Sequence, residues 1–210
     1  FLYNFVALVA AITVLLSPTF NDFWSKVPIF LSMLLWSIGS TVSSWNSFMK
    51  LQLPNTLTDI CYSLFYPLIL FGLVRALTTN KKILSLELFD TTIIALGSTS
   101  VISGLLLRPA MLHFRGSPFA VFLAILYPVG DVVLVAITIS LILLQKRNSR
   151  IMLTLIGVAI FAASDLYFLY ISNNNTYNFG ALTDDGWLLA LIVISQALWS
   201  RGGEVELNEK

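Results

Sequence analysis

PFAVFLAILYPVGDVVLVAITISLILLQ, residues 118–145, is apolar along most of its length but contains an internal proline, Pro128, a glycine and one carboxylate, Asp131. The run is longer than the roughly 20 residues that an α-helix needs to cross a bilayer. Helices and closed barrels are the only structures that satisfy every backbone polar group inside a membrane, and barrel strands are about 9–11 residues long. The stretch therefore predicts a membrane-spanning helix and leaves the role of Asp131 to be explained.

Further apolar runs of similar length occur along the rest of the chain. They lie near residues 1–17, 27–44, 57–77, 86–107, 150–172 and 186–200. Of the 210 residues, 57% are hydrophobic and 11% are charged, whereas a soluble domain is about 25% charged. The sequence predicts an all-α fold, a polytopic membrane bundle of about seven transmembrane helices.

The ends of the chain suggest a fragment of a longer protein. The sequence starts at Phe1 rather than at methionine, and it has no basic segment or cleavage site typical of a signal peptide. We expect residues 1–200 to form one transmembrane domain. The polar tail 201–210, RGGEVELNEK, is expected to begin a cytoplasmic linker to an output domain that this sequence lacks. Its GGEVE has no surrounding fold that would bind a nucleotide, so we expect no enzymatic activity from this fragment.

Basic residues at the predicted helix ends set an orientation. Eight of them fall on one side: Lys26, Arg75, Lys81, Lys82, Lys146, Arg147, Arg150 and Arg201. The other side has Lys50, Arg108 and Arg115. Because cytoplasmic loops are enriched in Lys and Arg, the first side is predicted to be cytoplasmic, with the C-terminus inside and the N-terminus outside.

Two acidic residues lie deep within predicted spans. Asp131 lies in the middle of the fifth span, and Asp165 lies about seven residues from the outer end of the sixth, about 10 Å at 1.5 Å per residue. Acids at such depth usually face the bundle interior and have a partner or a function. No Lys or Arg is predicted at the same depth, so the expected partners are hydroxyls, water, a ligand or a bound proton. Two carboxyl groups that share one cavity are not expected to ionise together.

A structural ion pair is expected nearer the cytoplasmic side. Arg75 lies just before the end of the third span, and Asp90 lies just after the start of the fourth. The short connection TTNKK keeps these two helices adjacent, so the sequence predicts that Arg75 and Asp90 pair across the hairpin.

Two segments of the chain resemble each other. LFYPLIL (64–70) and ILYPVGD (125–131) place Tyr-Pro at matching points of two spans that run in the same direction. A proline inside a helix removes a backbone hydrogen bond and bends the helix, so Pro67 and Pro128 are expected to open space between neighbouring helices. Chance similarity between proline-containing membrane helices is the alternative explanation.

The segments TDICYSLFYPLILFGL, LFDTTI, AILYPVGDVVLVAI, AASDLYFLY and TDDGWLLALIVISQAL together resemble a known family. They are similar to the multi-pass membrane sensor region that precedes GGDEF and EAL signalling domains in bacteria, over roughly residues 57–200. The family pattern maps onto Tyr127, Pro128 and Asp131, then Ala163 and Asp165, then Asp184 and Trp187. Where the second motif of the family has tyrosine this chain has Phe168, and the nearest tyrosine is Tyr167.

The resemblance implies a signal-input module in the bacterial cytoplasmic membrane. It implies an output domain in the same chain, a cyclase or phosphodiesterase of cyclic-di-GMP signalling or a kinase, and a homodimer, because such output domains commonly act as dimers. The partners expected are the lipid bilayer and a small apolar or lipid-like signal. With a net charge of only +1, no nucleic-acid partner is expected.

The candidate ligand site consists of five side chains. Asp131 and Asp165 are expected to form its polar base, and Tyr66, Tyr127 and Tyr167 are expected to donate hydrogen bonds. Pro67 and Pro128 would shape the cavity.

Other classes of membrane protein fit the sequence less well. Bis-histidine haem needs two histidines, and the chain has only His113. A retinal protein needs a lysine in its last helix, and 186–200 has none. No cofactor is identified, and a catalytic metal would need a cluster of histidines and carboxylates that the sequence lacks. A proton- or cation-coupled transporter remains the alternative function, because Asp131 lies beside Pro128 and Gly130.

Overall fold

The structure is a computed structural model. It describes residues 2–17, 22–50, 56–78, 118–144, 149–173, 176–178 and 180–199, together with single residues between 90 and 104. His113 and the predicted linker 201–210 lie outside these ranges, as does most of the predicted helix 86–107. The described residues form helices and short connections and contain no strand.

Six helices are assigned within the described ranges. They are α1 (Leu2–Leu16), α2 (Phe23–Phe48), α3 (Thr56–Thr78), α4 (Pro118–Leu144), α5 (Ser149–Asn173) and α6 (Leu182–Trp199). The apolar run that contains Asp131 forms α4, a single helix with Pro128 inside it. The all-helical fold class is therefore confirmed.

The helices are arranged as a closed ring. Each helix from α1 to α5 packs against the next one, and α6 packs against α1. Asn4 at the start of α1 accepts a hydrogen bond from Ser40 late in α2, at 2.6 Å, so these two helices are antiparallel. The ring brings the last helix beside the first, so residues far apart in sequence share one interior.

The two ends of the bundle differ in the elements that meet there. At the first end, here called the Asp22 end, α1, α3 and α6 finish and α2 begins. Arg75 Nε donates to Asp22 Oδ2 at 2.7 Å, and Ser17 Oγ donates to the carbonyl of Leu198 at 2.8 Å. The opposite end, here called the Tyr177 end, contains the start of α3 and the connection between α5 and α6.

The ion pair of Arg75 differs from the predicted one. Its guanidinium binds Asp22 rather than Asp90, and Asp90 is an exposed helical residue. The reason is that α3 packs closely along α2, so the end of α3 reaches the residue that precedes α2. Hydrogen bonds from Arg75 hold the pKa of Asp22 below its usual value.

Helices α3 and α4 are parallel neighbours. The rings of Tyr62 and Tyr127 are 6.5 Å apart, and further along both helices Leu77 and Ile137 belong to one apolar cluster. Since α3 ends at the Asp22 end and α4 begins at the Tyr177 end, residues 79–117 connect opposite ends of the bundle. The described residues of this connection are helical and exposed.

Length and composition suit the bundle to a membrane. Five helices of the described chain, α2 to α6, are long and apolar enough to span one. The first helix is also apolar but shorter. Many large apolar side chains point outward, among them Phe5, Phe71 and Phe122, as expected where lipid surrounds a bundle. The chain is thus consistent with a multi-pass membrane protein.

Glycine allows α2 and α3 to approach closely. A Cβ atom built at Gly72 of α3 would lie 2.4 Å from Ile29 Cγ1 and 3.0 Å from the Ile29 backbone nitrogen. Gly157 has a matching place between α5 and α6, where a Cβ would lie 2.6 Å from Ile194 Cγ1. Small residues at helix contacts are the usual means of close packing in membranes.

We predict that Gly72→Ala lowers the free energy of unfolding by about 1–3 kcal/mol, because the added methyl group overpacks the contact with Ile29. Gly97→Ala is the matched control, since a Cβ there meets no atom of the described residues within 4 Å and gains the same helix propensity. Titration of the detergent-solubilised protein with a denaturing detergent measures both. Equal stability of the two variants would contradict the close contact.

Candidate functional site

The buried face of α3 carries a tyrosine into the interior of the ring. Phe65, Tyr66, Ile69 and Leu73 recur at helical spacing and are buried. The Phe65 ring stacks on Phe161 of α5 at 5.0 Å between centroids. This packing directs the Tyr66 hydroxyl toward α4 and α5.

The Tyr66 hydroxyl joins the two predicted acids. Its oxygen lies 2.7 Å from Asp165 Oδ2 and 3.1 Å from Asp131 Oδ1. The two carboxyl groups are also close enough to each other for a direct hydrogen bond. Asp131 is only 2% exposed, so it does not face lipid. Side chains from three helices therefore meet at one phenol oxygen.

A fourth helix supplies a further donor. The indole Nε1 of Trp187, one turn into α6, donates to Asp165 Oδ1 at 2.5 Å. The Trp187 ring lies 6.0 Å from Trp36 and 5.3 Å from Phe168, which fixes the indole in place. We call the group formed by Tyr66, Asp131, Asp165 and Trp187 the carboxyl cluster.

Gly130 gives Tyr66 the room that it needs. A Cβ at Gly130 would lie 2.3 Å from Tyr66 Cδ1 and 2.6 Å from Cε1. The tyrosine ring thus rests on the backbone of α4, beside Asp131. Any larger residue at 130 would displace the ring, because the clash is with the ring carbons and not with a flexible chain end.

The second predicted tyrosine stacks on the first. The rings of Tyr127 and Tyr66 are 6.0 Å apart and nearly parallel. In the described part of the chain, the Tyr127 hydroxyl is buried with no hydrogen-bond partner. The Ser63 hydroxyl lies close to the Tyr127 hydroxyl, but it donates its own hydrogen to the carbonyl of Asp59.

The second oxygen of Asp131 also has no donor among the described residues. A buried polar atom without a partner is costly, by roughly 1–3 kcal/mol. Such atoms are explained by strain, by function or by a bound water or ion. Asp131 Oδ2 and the Tyr127 hydroxyl are therefore the two atoms at which a ligand group would form a new hydrogen bond.

The third acid in the family pattern has a local role. Asp184, in the first turn of α6, accepts hydrogen bonds from the backbone nitrogen of Gly180 at 2.6 Å and from the Tyr177 hydroxyl at 3.1 Å. A carboxylate at a helix start also complements the helix dipole. Burial, and the adjacent Asp184 carboxylate, raise the pKa of Tyr177.

The predicted site residues do not all meet. Asp131, Asp165 and Tyr66 are joined directly, and Tyr127 packs on Tyr66. Tyr167 lies apart: it is 46% exposed and its ring stacks on Tyr170. The next residue of α5, Phe168, faces the interior. Because consecutive residues of a helix point in different directions, Tyr167 points outward. Both prolines lie inside their helices, Pro67 exposed and Pro128 buried.

Trp187 and Gly130 have roles in or beside the cluster that the sequence did not predict. Trp187 was matched to the Asp-x-x-Trp motif of the resemblance, but it was not among the predicted ligand-site residues. Gly130 was noted as a neighbour of Asp131 and not as the platform for Tyr66. The motif spacing was the signal for Trp187, whereas nothing in the sequence signals the contact at Gly130.

Comparison of the chain with protein-family models, with curated proteins and with solved structures gave no match.

We predict that Tyr66→Phe lowers the free energy of unfolding by roughly 1–3 kcal/mol, because it removes the hydroxyl shared by two buried carboxyl groups. Tyr167→Phe is the matched control and is expected to change stability by less than about 0.5 kcal/mol, as an exposed substitution. The same detergent titration compares them. A loss at Tyr167 equal to that at Tyr66 would contradict the assignment.

Proposed function

We propose that this chain is the membrane-embedded input module of a signalling protein. It binds a small, largely apolar or lipid-like signal and passes a helix movement to a cytoplasmic effector. The effector is an output domain in the same chain, a domain of cyclic-di-GMP signalling or a kinase.

One observation carries this proposal. The three motif residues Asp131, Asp165 and Trp187 lie far apart in sequence, yet they join into one cluster with Tyr66. An isolated buried acid would need only one local partner. Here a single polar cluster holds α3, α4, α5 and α6 in one arrangement, so a ligand that competes for these hydrogen bonds would change the packing of all four helices.

The last helix provides a route to the effector. Trp187 near the start of α6 binds Asp165, and Trp199 at its end donates to the carbonyl of Thr13 in α1 at 2.9 Å. Trp199 is twelve positions after Trp187, which corresponds to about 18 Å of helix at 1.5 Å per residue. A shift of α6 at the cluster would therefore alter its contact with α1, next to the start of the expected linker.

We further propose seven crossings of the bacterial cytoplasmic membrane with the C-terminus inside, and a homodimer as the working unit. The connection 79–117 joins opposite ends of the bundle, which supports an additional crossing there. Lys26, Arg75 and Arg150 lie toward the Asp22 end, in agreement with a cytoplasmic position for that end.

The topology is tested by cysteine labelling on either side of α5. In a background without Cys61, a cysteine at position 178 is expected to react with an impermeant maleimide added outside intact cells, and one at position 148 only after the cells are opened. The two positions flank one helix, so each controls for the other. Labelling of position 148 alone would reverse the orientation.

A proton- or cation-coupled transporter is the second candidate. Its supporting observation is the pair of carboxyl groups buried beside Pro128 and Gly130, where α4 has an interrupted hydrogen-bond pattern. A transporter needs access to this pair from both ends of the bundle, whereas an input module needs access from only one.

Joining the chain to a diguanylate cyclase domain tests the signalling role. Asp165→Asn weakens two hydrogen bonds to a charged group, each worth about 1.5–3 kcal/mol, so we expect at least about a tenfold shift in the switching equilibrium. The change is measured as cellular cyclic-di-GMP, with the exposed Asp185→Asn as control. Unchanged cyclic-di-GMP, combined with a proton flux in vesicles that Asp165→Asn abolishes, would favour the transporter.

A further inference from the structure

The contacts of the Tyr66 hydroxyl require more hydrogen atoms than tyrosine supplies. Its oxygen lies within hydrogen-bond distance of Asp165 Oδ2 and of Asp131 Oδ1, at 2.7 and 3.1 Å. A phenol has one hydrogen and donates it to one acceptor. With both acids ionised, one hydrogen would have to serve two carboxylates that also lie within hydrogen-bond distance of each other. A proton on one carboxyl group removes this conflict, because that group then donates to the phenol oxygen or to the other carboxylate. One of the two acids therefore carries a proton in this arrangement.

The surroundings indicate which acid carries it. Asp165 receives two donors, the Trp187 indole at 2.5 Å and the Tyr66 hydroxyl at 2.7 Å, one on each oxygen. Asp131 has a longer contact through one oxygen, and its other oxygen has no donor among the described residues. A buried carboxylate is tolerated only with donors. Asp165 is thus the ionised member, and Asp131 is the protonated one.

We propose that Asp131, Tyr66 and Asp165 form a binding site for one proton, which enters from the Tyr177 end of the bundle. On uptake, the proton forms an O–H bond with Asp131 and is donated to the Tyr66 oxygen or to the neighbouring Asp165 carboxylate. On release, two carboxylates remain next to one phenol hydrogen. The phenol donates to one carboxylate, and its oxygen then repels the other carboxylate. This repulsion drives α4 away from α3 and α5.

Polar groups connect the cluster with the Tyr177 end. Tyr127 precedes Asp131 by one helical turn, on the side of the Tyr177 end. Its hydroxyl interacts electrostatically with Asp59 and Asp165. Tyr62 interacts with Asp165 and with Tyr177. The titratable groups that face the cluster or this route are Asp59, Tyr62 and Tyr66 on α3, Tyr127 on α4, Asp165 on α5, Asp184 on α6 and Tyr177 before it. In the described hydrogen bonds and ion pairs of the two carboxyl groups there is no Lys or Arg.

The other direction is apolar. Toward the Asp22 end the cluster is followed by Ile69, Leu73, Leu134, Val158 and Ile194, all of which are buried in the central core. These residues come from four helices. Buried hydroxyl groups also occur at this level and beyond it, at Thr138, Thr154 and Ser195, but each donates to a carbonyl of its own helix. A site open at one end binds a proton without passing it on.

This inference rests on the proposed function for its consequence in signalling, because proton release would loosen the arrangement that α6 transmits. The proton site itself is measured on the chain alone, without any effector. Failure of the proton measurement would leave the signalling test unaffected, and the converse also holds.

Infrared difference spectroscopy of the chain in lipid vesicles tests the site. At neutral pH we expect a carbonyl stretching band of a protonated carboxyl group that Asp131→Asn abolishes and Asp185→Asn retains. Tyr66→Phe should keep the band but shift it, because the proton loses its acceptor, and this variant preserves the test if Asp131→Asn does not fold. A wild-type protein without a band that depends on Asp131 would overturn the proposal.

The direction of entry is tested with sealed vesicles of both orientations. In vesicles in which position 178 faces the bath, a jump in bath pH should change the Asp131 band at once. In vesicles of the opposite orientation, the band should change only after the internal pH equilibrates. An equal immediate response in both would overturn entry from one end. Loss of the band on adding sodium chloride at constant pH would show that a cation occupies the site and would also overturn the proposal.

Discussion

The phenol hydroxyl of Tyr66 is the interaction on which the rest of the structure depends. Two carboxyl groups in an apolar bundle repel each other and lose their hydration, and both effects oppose folding. The hydroxyl between Asp131 and Asp165, with the Trp187 indole on the far side, supplies donors in place of water. Because these four side chains come from four helices, satisfying the acids also fixes the arrangement of the helices.

Such a cluster needs helices that approach one another closely. Gly130 lets the Tyr66 ring lie against the backbone of α4, while Gly72 and Gly157 bring α3 to α2 and α5 to α6. In a membrane, the exclusion of water does not drive helices together, so packing and polar contacts must supply the attraction. The glycines allow the close packing, and the carboxyl cluster provides the polar contacts, both in the interior of the same bundle.

The carboxyl cluster is better suited to a change between two helix arrangements than to the permanent stabilisation of one. The cluster leaves Asp131 Oδ2 and the Tyr127 hydroxyl without partners among the described residues, so new hydrogen bonds can still form at these two atoms. A fully satisfied network would offer no such atoms. Toward the Asp22 end the cluster is followed by a layer of buried apolar side chains, and this asymmetry favours the proposed sensor over the proposed transporter.

Composition and the length of the apolar runs by themselves determined that the chain is an all-helical bundle suited to a membrane, since backbone hydrogen bonding in lipid leaves few alternatives. They also determined that Asp131 and Asp165 face inward, because exposure of either acid to lipid is costly. The partners of these acids depended on tertiary structure. Helical phase turns Tyr167 outward and Phe168 inward. Close packing of α3 on α2 gives Arg75 to Asp22 instead of Asp90, and the packing of α6 on α5 brings Trp187 to Asp165. Each of these contacts depends on the rotation and separation of neighbouring helices, which are set by side-chain packing across the interior and not by the pattern along any one helix.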